Sequence, residues 1–405
     1  MGSDNKGMPH FEKIEYKPIP VRELLLEMKN LSELMIDLAY SAALYNDKDL
    51  AEDVLALESR VDTLAYLLDM EIMVAARDPK DAEAMVGISK VASSTDKISD
   101  AAADIAAIVT RNIGIHPIVS EIFEKVEERI MKVTVKENSE LVGKKICELD
   151  LAARMGVDII AIRRYNDWIL NPKDDERVFK GDILITRGAH IGIEEFKDLA
   201  EGQLAELNLS QREKFKEIVS RFVELKDTSE LMMDLAYSSL LLNSKELAEE
   251  VQRLEERVDE LHTAFELLAL TSDFKKEEAS GFLGLIRLGV ATEKIADAAA
   301  DMAEVVLRGI EPHPVLKLAI KEAEETVAQA CVTADSPLVN KTLKEARVHE
   351  ETGMSVLVIK RGDKCLRPKP DSKIQVGDVL VASGYAEGAD DLKKLASPEQ
   401  ACNVE

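Results

Sequence analysis

The chain has 405 residues, enough for two to four domains that each bury a core. Its 77 acidic and 52 basic residues give a formal charge of −25, which argues against nucleic acid or an anionic membrane as a partner because both require a basic protein surface. Four widely spaced cysteines without a CxxC pair exclude a zinc site of finger type. No apolar run approaches about 20 residues, so we expect a cytoplasmic protein that does not insert into a membrane.

The first part of the chain predicts three long helices. Apolar residues recur at spacings of three and four from Val21 to Leu44, and similar patterns predict helices over residues 47–76 and 81–113. Pro79 suits the first turn of the third helix. Three such helices with short links are expected to form an antiparallel bundle.

The next part of the chain changes from a helical period to an alternating one. IMKVTVKE predicts a strand, and a short helix is predicted near residues 141–153. The segments VDIIAIRRY, DWILNP and VFKGDILITRG predict further strands separated by turns, and EEFKDLAEG predicts a closing helix. Together these elements indicate a small α+β domain of about 75 residues.

This whole pattern occurs twice. SELMIDLAYSAALYNDKDLAEDVLALESRVDTL from Ser32 matches SELMMDLAYSSLLLNSKELAEEVQRLEERVDEL from Ser229, an offset of 197 residues that falls to 196 after a one-residue gap. The predicted fold class is α+β, an internal duplication in which two antiparallel helical bundles alternate with two small βα domains. The predicted boundaries are 20–117 for the first bundle, 118–202 for the first βα domain, 211–314 for the second bundle and 315–398 for the second βα domain.

Acidic residues four positions apart are the main candidates for a metal site. Such a spacing places two carboxylates on one face of a helix, and facing helices with these pairs can hold a divalent or transition cation between carboxylate oxygens. Acidic residues are so frequent here that any single pair is also compatible with a solvated surface. The pairs are Glu33/Asp37, Glu58/Asp62 and Asp96/Asp100 in the first copy, and Glu230/Asp234, Glu255/Asp259 and Glu293/Asp297 in the second.

The sequence lacks the common catalytic motifs. GxSxG, HExxH, the P-loop and the GxGxxG fingerprint are all absent. A metal-dependent hydrolase would need a nucleophile or a histidine arranged beside the acidic pairs. The sequence places neither of them next to these pairs at ligand spacing.

The helical parts resemble PhoU domains. The segments ESRVDTL and EERVDEL resemble the acidic motif of the second PhoU helix, and TDKISDAAADIA and TEKIADAAADMA resemble the E-R-x-x-D segment of the third. In that family such ExxxD motifs bind clusters of metal ions. The resemblance implies a metal site at Glu58, Asp62, Asp96 and Asp100, and another at Glu255, Asp259, Glu293 and Asp297.

The α+β parts resemble the TrkA-C domain, the C-terminal domain of RCK regulators of potassium conductance. The resemblance lies in GVDIIAIRR, in KGDILITRG and VGDVLVASG, and in Pro172 and Pro368. Some TrkA-C domains bind cyclic di-AMP between two copies, which implies a ligand site here. An arginine offers a donor fork for phosphate, although the same strand is also explained as core with exposed basic ends. The implied ligand residues are Ile159, Ile160, Arg164 and Asn166, whereas the second copy has Asp363, which would repel phosphate, at the position of Asn166.

The order PhoU–TrkA-C–PhoU–TrkA-C resembles archaeal regulatory proteins related to potassium channels. It implies a non-enzymatic cytoplasmic regulatory subunit of a membrane cation channel or transporter, with potassium as the expected ion. It also implies self-association through the TrkA-C-like or helical domains. The alternative is a metal-binding regulator of phosphate uptake of the PhoU type, and a metal-dependent hydrolase is the third and least favoured.

Overall fold

Three long helices begin the first half of the molecule, as the periodicity predicts. The structure, a computed structural model, describes residues 13–149, 151–165, 167–200, 215–362, 364–366, 368–369 and 371–398. Asn46, in the left-handed conformation (φ 49°), ends the first helix, and the Asp47 carboxylate accepts the Leu50 N–H at 3.2 Å to start the second. The helices are α1 Val21–Tyr45, α2 Lys48–Ala75 and α3 Pro79–Thr110.

A small α+β domain follows this bundle. Its four strands form an antiparallel sheet in the order β1-β4-β2-β3, which an apolar core covers on both faces. Its elements are α4 Ile118–Phe123, β1 Glu128–Thr134, α5 Ile146–Leu149, α6 Leu151–Met155, β2 Val157–Arg164, β3 Asp167–Leu170, β4 Ile183–Ala189 and α7 His190–Ala200.

The single short helix predicted near residues 141–153 was wrong in extent. Two shorter helices, α5 and α6, take its place, and the first of them begins only at Ile146. Upstream of them Gly143 has a φ of +83°, and its N–H bonds to the Val178 carbonyl at 2.8 Å. Because these backbone groups pair with a distant segment rather than with the preceding turn, a continuous helix cannot form there.

The second half repeats the α-helices and strands of the first in the same order and adds one turn of 3-10 helix at Lys276–Glu278, which confirms the predicted α+β duplication. Its sheet is again antiparallel, in the order β5-β8-β6-β7. Asn243 ends the first helix in the left-handed conformation, as Asn46 does in the first half. The elements are α8 Lys216–Leu242, α9 Lys245–Thr271, α10 Ala279–Leu307, α11 Pro314–Glu322, β5 Glu325–Cys331, α12 Leu343–Ala346, α13 Val348–Thr352, β6 Met354–Arg361, β7 Lys364–Leu366, β8 Val379–Tyr385 and α14 Gly388–Ala396.

The two halves pack against each other along α3 and α10. These helices run antiparallel, since Lys97 pairs with Asp301 at 2.5 Å and Lys294 pairs with Asp104 at 2.8 Å. A Cβ atom at Gly284 would lie 2.1 Å from the Gly114 carbonyl oxygen, so this contact requires glycine.

Short helices also cross between the halves. Helix α4 packs on α8, α11 packs on α1, and α6 of the first α+β domain packs on α13 of the second. Both bundles and the inner faces of both sheets therefore share one apolar core. Among the described residues, no helix combines the length and the apolar character needed to cross a bilayer.

Candidate metal centres and a buried charged site

The first predicted metal site brings carboxylates from two helices together. Glu58 and Asp62 lie one turn apart on α2, and Asp100 faces them from α3. Each residue offers one oxygen, and the three oxygens lie within 4.8 Å of one another. We call Glu58, Asp62 and Asp100 cluster 1. An oxygen-only set of this size suits a hard or borderline divalent cation.

Partial desolvation and mutual repulsion disfavour the fully ionised form of cluster 1, in which Glu58 and Asp62 are half-buried and Asp100 is exposed. Desolvation, followed by the charges of Asp62 and Asp100, raises the pKa of Glu58. Desolvation and the charge of Asp100 raise the pKa of Asp96, the fourth predicted residue, to about 6. One buried oxygen of Asp96 has no hydrogen-bond partner among the described residues. This carboxylate can therefore serve as a further ligand or as an acceptor for metal-bound water.

The second predicted metal site repeats this geometry. Glu255, Asp259 and Asp297, which we call cluster 2, also place three oxygens within 4.8 Å of one another. Desolvation and the charge of Asp297 raise the pKa of Glu293 to about 7. Desolvation and the charges of Asp259 and Asp301 raise the pKa of Asp297, and the nearby Lys97 and His262 oppose this shift. His262 lies three residues after Asp259 but is not one of the three residues whose ligand atoms lie within 4.8 Å of one another.

Two lysines, one within each third-helix motif, form ion pairs across the interface between the two bundles. Lys97, beside Asp96, reaches across to Asp301 of the other bundle, and Lys294, beside Glu293, reaches across to Asp104. These two side chains stand where the PhoU motif has arginine. They tie the bundles together and leave the oxygen atoms of both clusters without a lysine ion pair among the described residues.

The remaining acidic pairs lie in a different place, buried between the bundles and the sheets. Lys29 donates to Glu33 at 2.5 Å and to the Glu325 carbonyl at 3.0 Å, and Lys226 donates to Glu230. Desolvation is the main cause that raises the pKa of both glutamates to about 7. These acids belong to a charged network and not to the clusters on α2, α3, α9 and α10.

Arg187 on β4 is the centre of that network, and the sequence prediction missed it. Its side chain is 9% exposed. The guanidinium donates to the Asp37 carboxylate, pairs with Glu325 and donates to the Tyr385 hydroxyl at 2.8 Å. It also lies 3.9 Å from Asp158. One side chain thus connects the first bundle with both sheets.

The equivalent place in the second half lacks an arginine. There the Ser383 hydroxyl donates to Asp234 at 2.7 Å. Desolvation raises the pKa of Asp234 to about 8, despite that hydrogen bond. Both halves of the network line one cavity of about 990 Å³, which we call the central cavity.

The buried acids of the central cavity predict a stability that falls as pH rises. The pKa values of Glu33, Glu230 and Asp234 are raised in the folded protein, so it binds protons that the unfolded chain has released. Their contribution is complete below the unfolded pKa of about 4 and is lost as pH rises through about 7 to 8. We expect the melting temperature in metal-free buffer to fall between about pH 5 and pH 8.5, and less steeply above pH 7 in Asp234→Asn. A melting temperature that rises across this range contradicts the assignment.

The predicted nucleotide residues do not converge on one opening. Ile159 lies in the core of the α+β domain, whereas Ile160 packs on the opposite face toward the bundle. Arg164 donates to Asp182 at 2.9 Å and to Glu176 at 2.7 Å. Asn166 lies outside the described residues. The cyclic di-AMP site stays a prediction.

Comparison with known families identifies the domains. Residues 25–109 and 222–306 match the PhoU domain, and residues 130–200 and 327–397 match the TrkA-C domain. The chain is a tandem array of PhoU and TrkA-C domains. The resemblance read from the sequence is confirmed. Clusters 1 and 2 lie in the PhoU domains, and Arg187 lies in the first TrkA-C domain.

Curated relatives of this tandem protein match only parts of it. Potassium channel protein 1 of Methanocaldococcus jannaschii is 35% identical over 72 residues, 18% of this chain and 22% of that protein. Ktr system potassium uptake protein C of Bacillus subtilis is 32% identical over 110 residues, 27% of this chain and 48% of that protein. The chain thus spans less than half the length of either relative. Among solved structures, PhoU from Pseudomonas aeruginosa aligns with 71% of this chain and 96% of its own, at 17% identity and a TM-score of 0.40.

Proposed function

We propose that this chain is a non-enzymatic cytoplasmic subunit that regulates a membrane potassium channel or transporter. The observation that carries the proposal is the domain content, PhoU and TrkA-C in tandem, together with curated relatives named as a potassium channel protein and a potassium uptake protein. Both domain types carry out regulation in the proteins that the resemblance points to, so catalysis is not part of the proposal.

Two features of the geometry support the proposal. Clusters 1 and 2 offer sites where a divalent or transition cation can bind between helices. The Arg187 network offers a structural connection between the domains, because it joins α1 of the first PhoU domain to strands of both TrkA-C domains. A ligand that shifts the bundle would in this way change how the TrkA-C pair is held.

Regulation of phosphate uptake is the second candidate. The specific observation that favours it is the pair of PhoU domains with two carboxylate clusters at matching positions. The two functions differ in the transporter that the chain contacts and in the ion whose uptake it controls.

Purification of the tagged chain from native membranes tests the proposal. We expect a potassium channel or transporter to be enriched relative to a bait that carries the tag alone. A bait in which Asp62, Asp100, Asp259 and Asp297 are all alanine serves as the matched control for metal-dependent association. Enrichment of a phosphate transporter instead would favour the second candidate, and recovery of no membrane transporter would contradict both.

A further inference from the structure

Exposed apolar side chains concentrate at the turns between the second and third helices of the two PhoU domains. Among the described residues, 14 large hydrophobic side chains are exposed, and seven of them lie near these two turns. Apolar residues scattered singly over a surface are ordinary, but a concentration of this kind is typical of a contact site. Tip patch 1 consists of Tyr66, Met73, Val74 and Val86, and tip patch 2 consists of Leu267, Leu270 and Leu283.

The two tip patches share positions that the internal duplication relates. Met73 corresponds to Leu270 and Val86 corresponds to Leu283, at the offset of 197 residues. All four side chains are exposed, from 45% for Leu283 to 76% for Met73. The residues have diverged between the copies while both positions stayed apolar, and packing within the chain does not explain this. A contact with another molecule, made by both PhoU domains, does explain it.

Each tip patch lies on the same side of its helix pair as the carboxylate cluster. Met73 follows Asp62 by 11 residues on α2, and Val86 precedes Asp100 by 14 residues on α3, separations of about three and four helical turns. Asp62 and Asp100 meet in cluster 1, so Met73 and Val86 belong to the side of the helix pair that carries this cluster. The second half has the same separations, at Asp259/Leu270 and Leu283/Asp297.

The two tip patches lie at opposite ends of the array of long helices, because α3 and α10 run antiparallel. At one end Gly87, the residue after Val86, packs against Ile310 beyond the end of α10. At the other end the corresponding Gly284 packs against Gly114 beyond the end of α3. The patches are therefore two separate contact surfaces.

Acidic residues surround both tip patches. Residues 58–86 include seven acidic and three basic residues, and residues 255–283 include eight acidic and three basic residues. Two of the basic residues, Arg60 and Arg257, are already held in ion pairs with glutamates. Such a surface repels an anionic membrane, and it also repels a second copy of this chain, which carries the same acidic surroundings. The complementary surface combines apolar side chains with positive charge.

We propose that tip patches 1 and 2 each bind a basic amphipathic helix of a partner protein. The apolar face of this helix covers the tip patch, and its lysine or arginine side chains face the acidic residues of the adjoining cluster. A helix of about 18 residues is about 27 Å long, which exceeds the distance of about 16 Å along α2 from Met73 to Asp62. The inference concerns the surface and the chemistry of the bound segment, and it stands separately from the transporter proposed above.

Binding of designed peptides to the full chain tests this proposal. The probe is a fluorescent peptide of about 18 residues with leucines on one helical face and lysines on the other. One control peptide has the same composition in an order that is not amphipathic, and a second has glutamate in place of lysine. Fluorescence anisotropy in EDTA at about 0.15 M salt should show binding of the probe, and binding at least about tenfold weaker for either control peptide.

Met73→Ser with Leu270→Ser, the tip variant, removes the most exposed side chain of each tip patch. Leu318→Ser with Val376→Ser is the matched control variant, because these side chains are 47% and 55% exposed but lie outside both patches. Both variants should keep the melting temperature of the wild-type chain, since none of the four side chains is buried. The tip variant should bind the probe at least about fivefold more weakly, and the control variant should bind it as the wild-type chain does.

Other occupants of the tip patches are measured with the same variants. Self-association of the wild-type chain that the tip variant abolishes would assign the patches to a second copy. Co-sedimentation with phosphatidylglycerol vesicles that the tip variant abolishes would assign them to a membrane. Either result overturns the proposal, as do equal binding of the probe by the tip and control variants and equal binding of the probe and the non-amphipathic peptide by the wild-type chain.

Discussion

Replacing Arg187 with methionine is expected to lower the free energy of unfolding by about 3–5 kcal/mol. Methionine keeps much of the side-chain volume but removes the charge that compensates Asp37 and Glu325. Asp37, whose side chain is 7% exposed, would then stay buried without a cation, and Glu325, which is 27% exposed, would lose its partner. A buried charge without a partner costs far more than the loss of a surface ion pair. Urea unfolding at about pH 7.5 measures the change.

Arg60→Ala is the matched control for this experiment. Arg60 also pairs with a glutamate, Glu27 at 2.8 Å, but its side chain is 49% exposed. Its loss should cost less than about 1 kcal/mol, because solvent screens an exposed pair. The double change Arg187→Met with Asp37→Asn should recover part of the stability, since it removes one of the stranded charges. Equal effects of Arg187→Met and Arg60→Ala would show that Arg187 is not the centre of a buried network.

Metal binding to clusters 1 and 2 should give the second largest effect. Each cluster gathers carboxylates that repel one another when empty, so a cation that binds only the folded state stabilises it by mass action. A concentration of about 100 times the dissociation constant adds about 2.7 kcal/mol for each site. We expect the melting temperature to rise when excess manganese, iron, zinc or magnesium replaces EDTA.

Paired variants divide this effect between the clusters. Asp62→Ala with Asp100→Ala should remove the share of cluster 1, and Asp259→Ala with Asp297→Ala should remove that of cluster 2. Glu83→Ala, an exposed acid outside both clusters, should leave the response unchanged. Identical melting temperatures of the wild-type chain in EDTA and in every one of these metals would refute both sites.

Local patterns carried most of the fold prediction. The three helices of the first bundle were predicted because the signals for them are local. Apolar residues recur within each helix, and Asn46 and Pro79 mark helix ends. The helix predicted at 141–153 was wrong in extent because the N–H of Gly143 bonds to Val178, a partner that no local pattern reveals. Two carboxylates of each cluster were predictable for the same local reason, since they lie one helical turn apart, whereas Asp100 and Asp297 come from the facing helix.

The Arg187 network could not be predicted from local sequence patterns. Arg187 lies in a strand that reads as ordinary core, and its partner Asp37 is 150 residues away in the chain. Tertiary packing alone brings Glu325 and Tyr385 of the second half to the same guanidinium. The one available signal was the comparison of copies, in which an arginine in LITRGA faces a serine in LVASGY. That difference in charge at an otherwise repeated position marks the site.

Ion uptake by the cells that make this protein tests the central claim most directly. Rubidium, a tracer for potassium, and labelled phosphate can be followed in cells with the gene intact, deleted and restored. Regulation of a potassium channel or transporter predicts that deletion changes rubidium uptake severalfold, that restoration reverses the change, and that phosphate uptake stays the same. Unchanged rubidium uptake together with altered phosphate uptake would contradict the account.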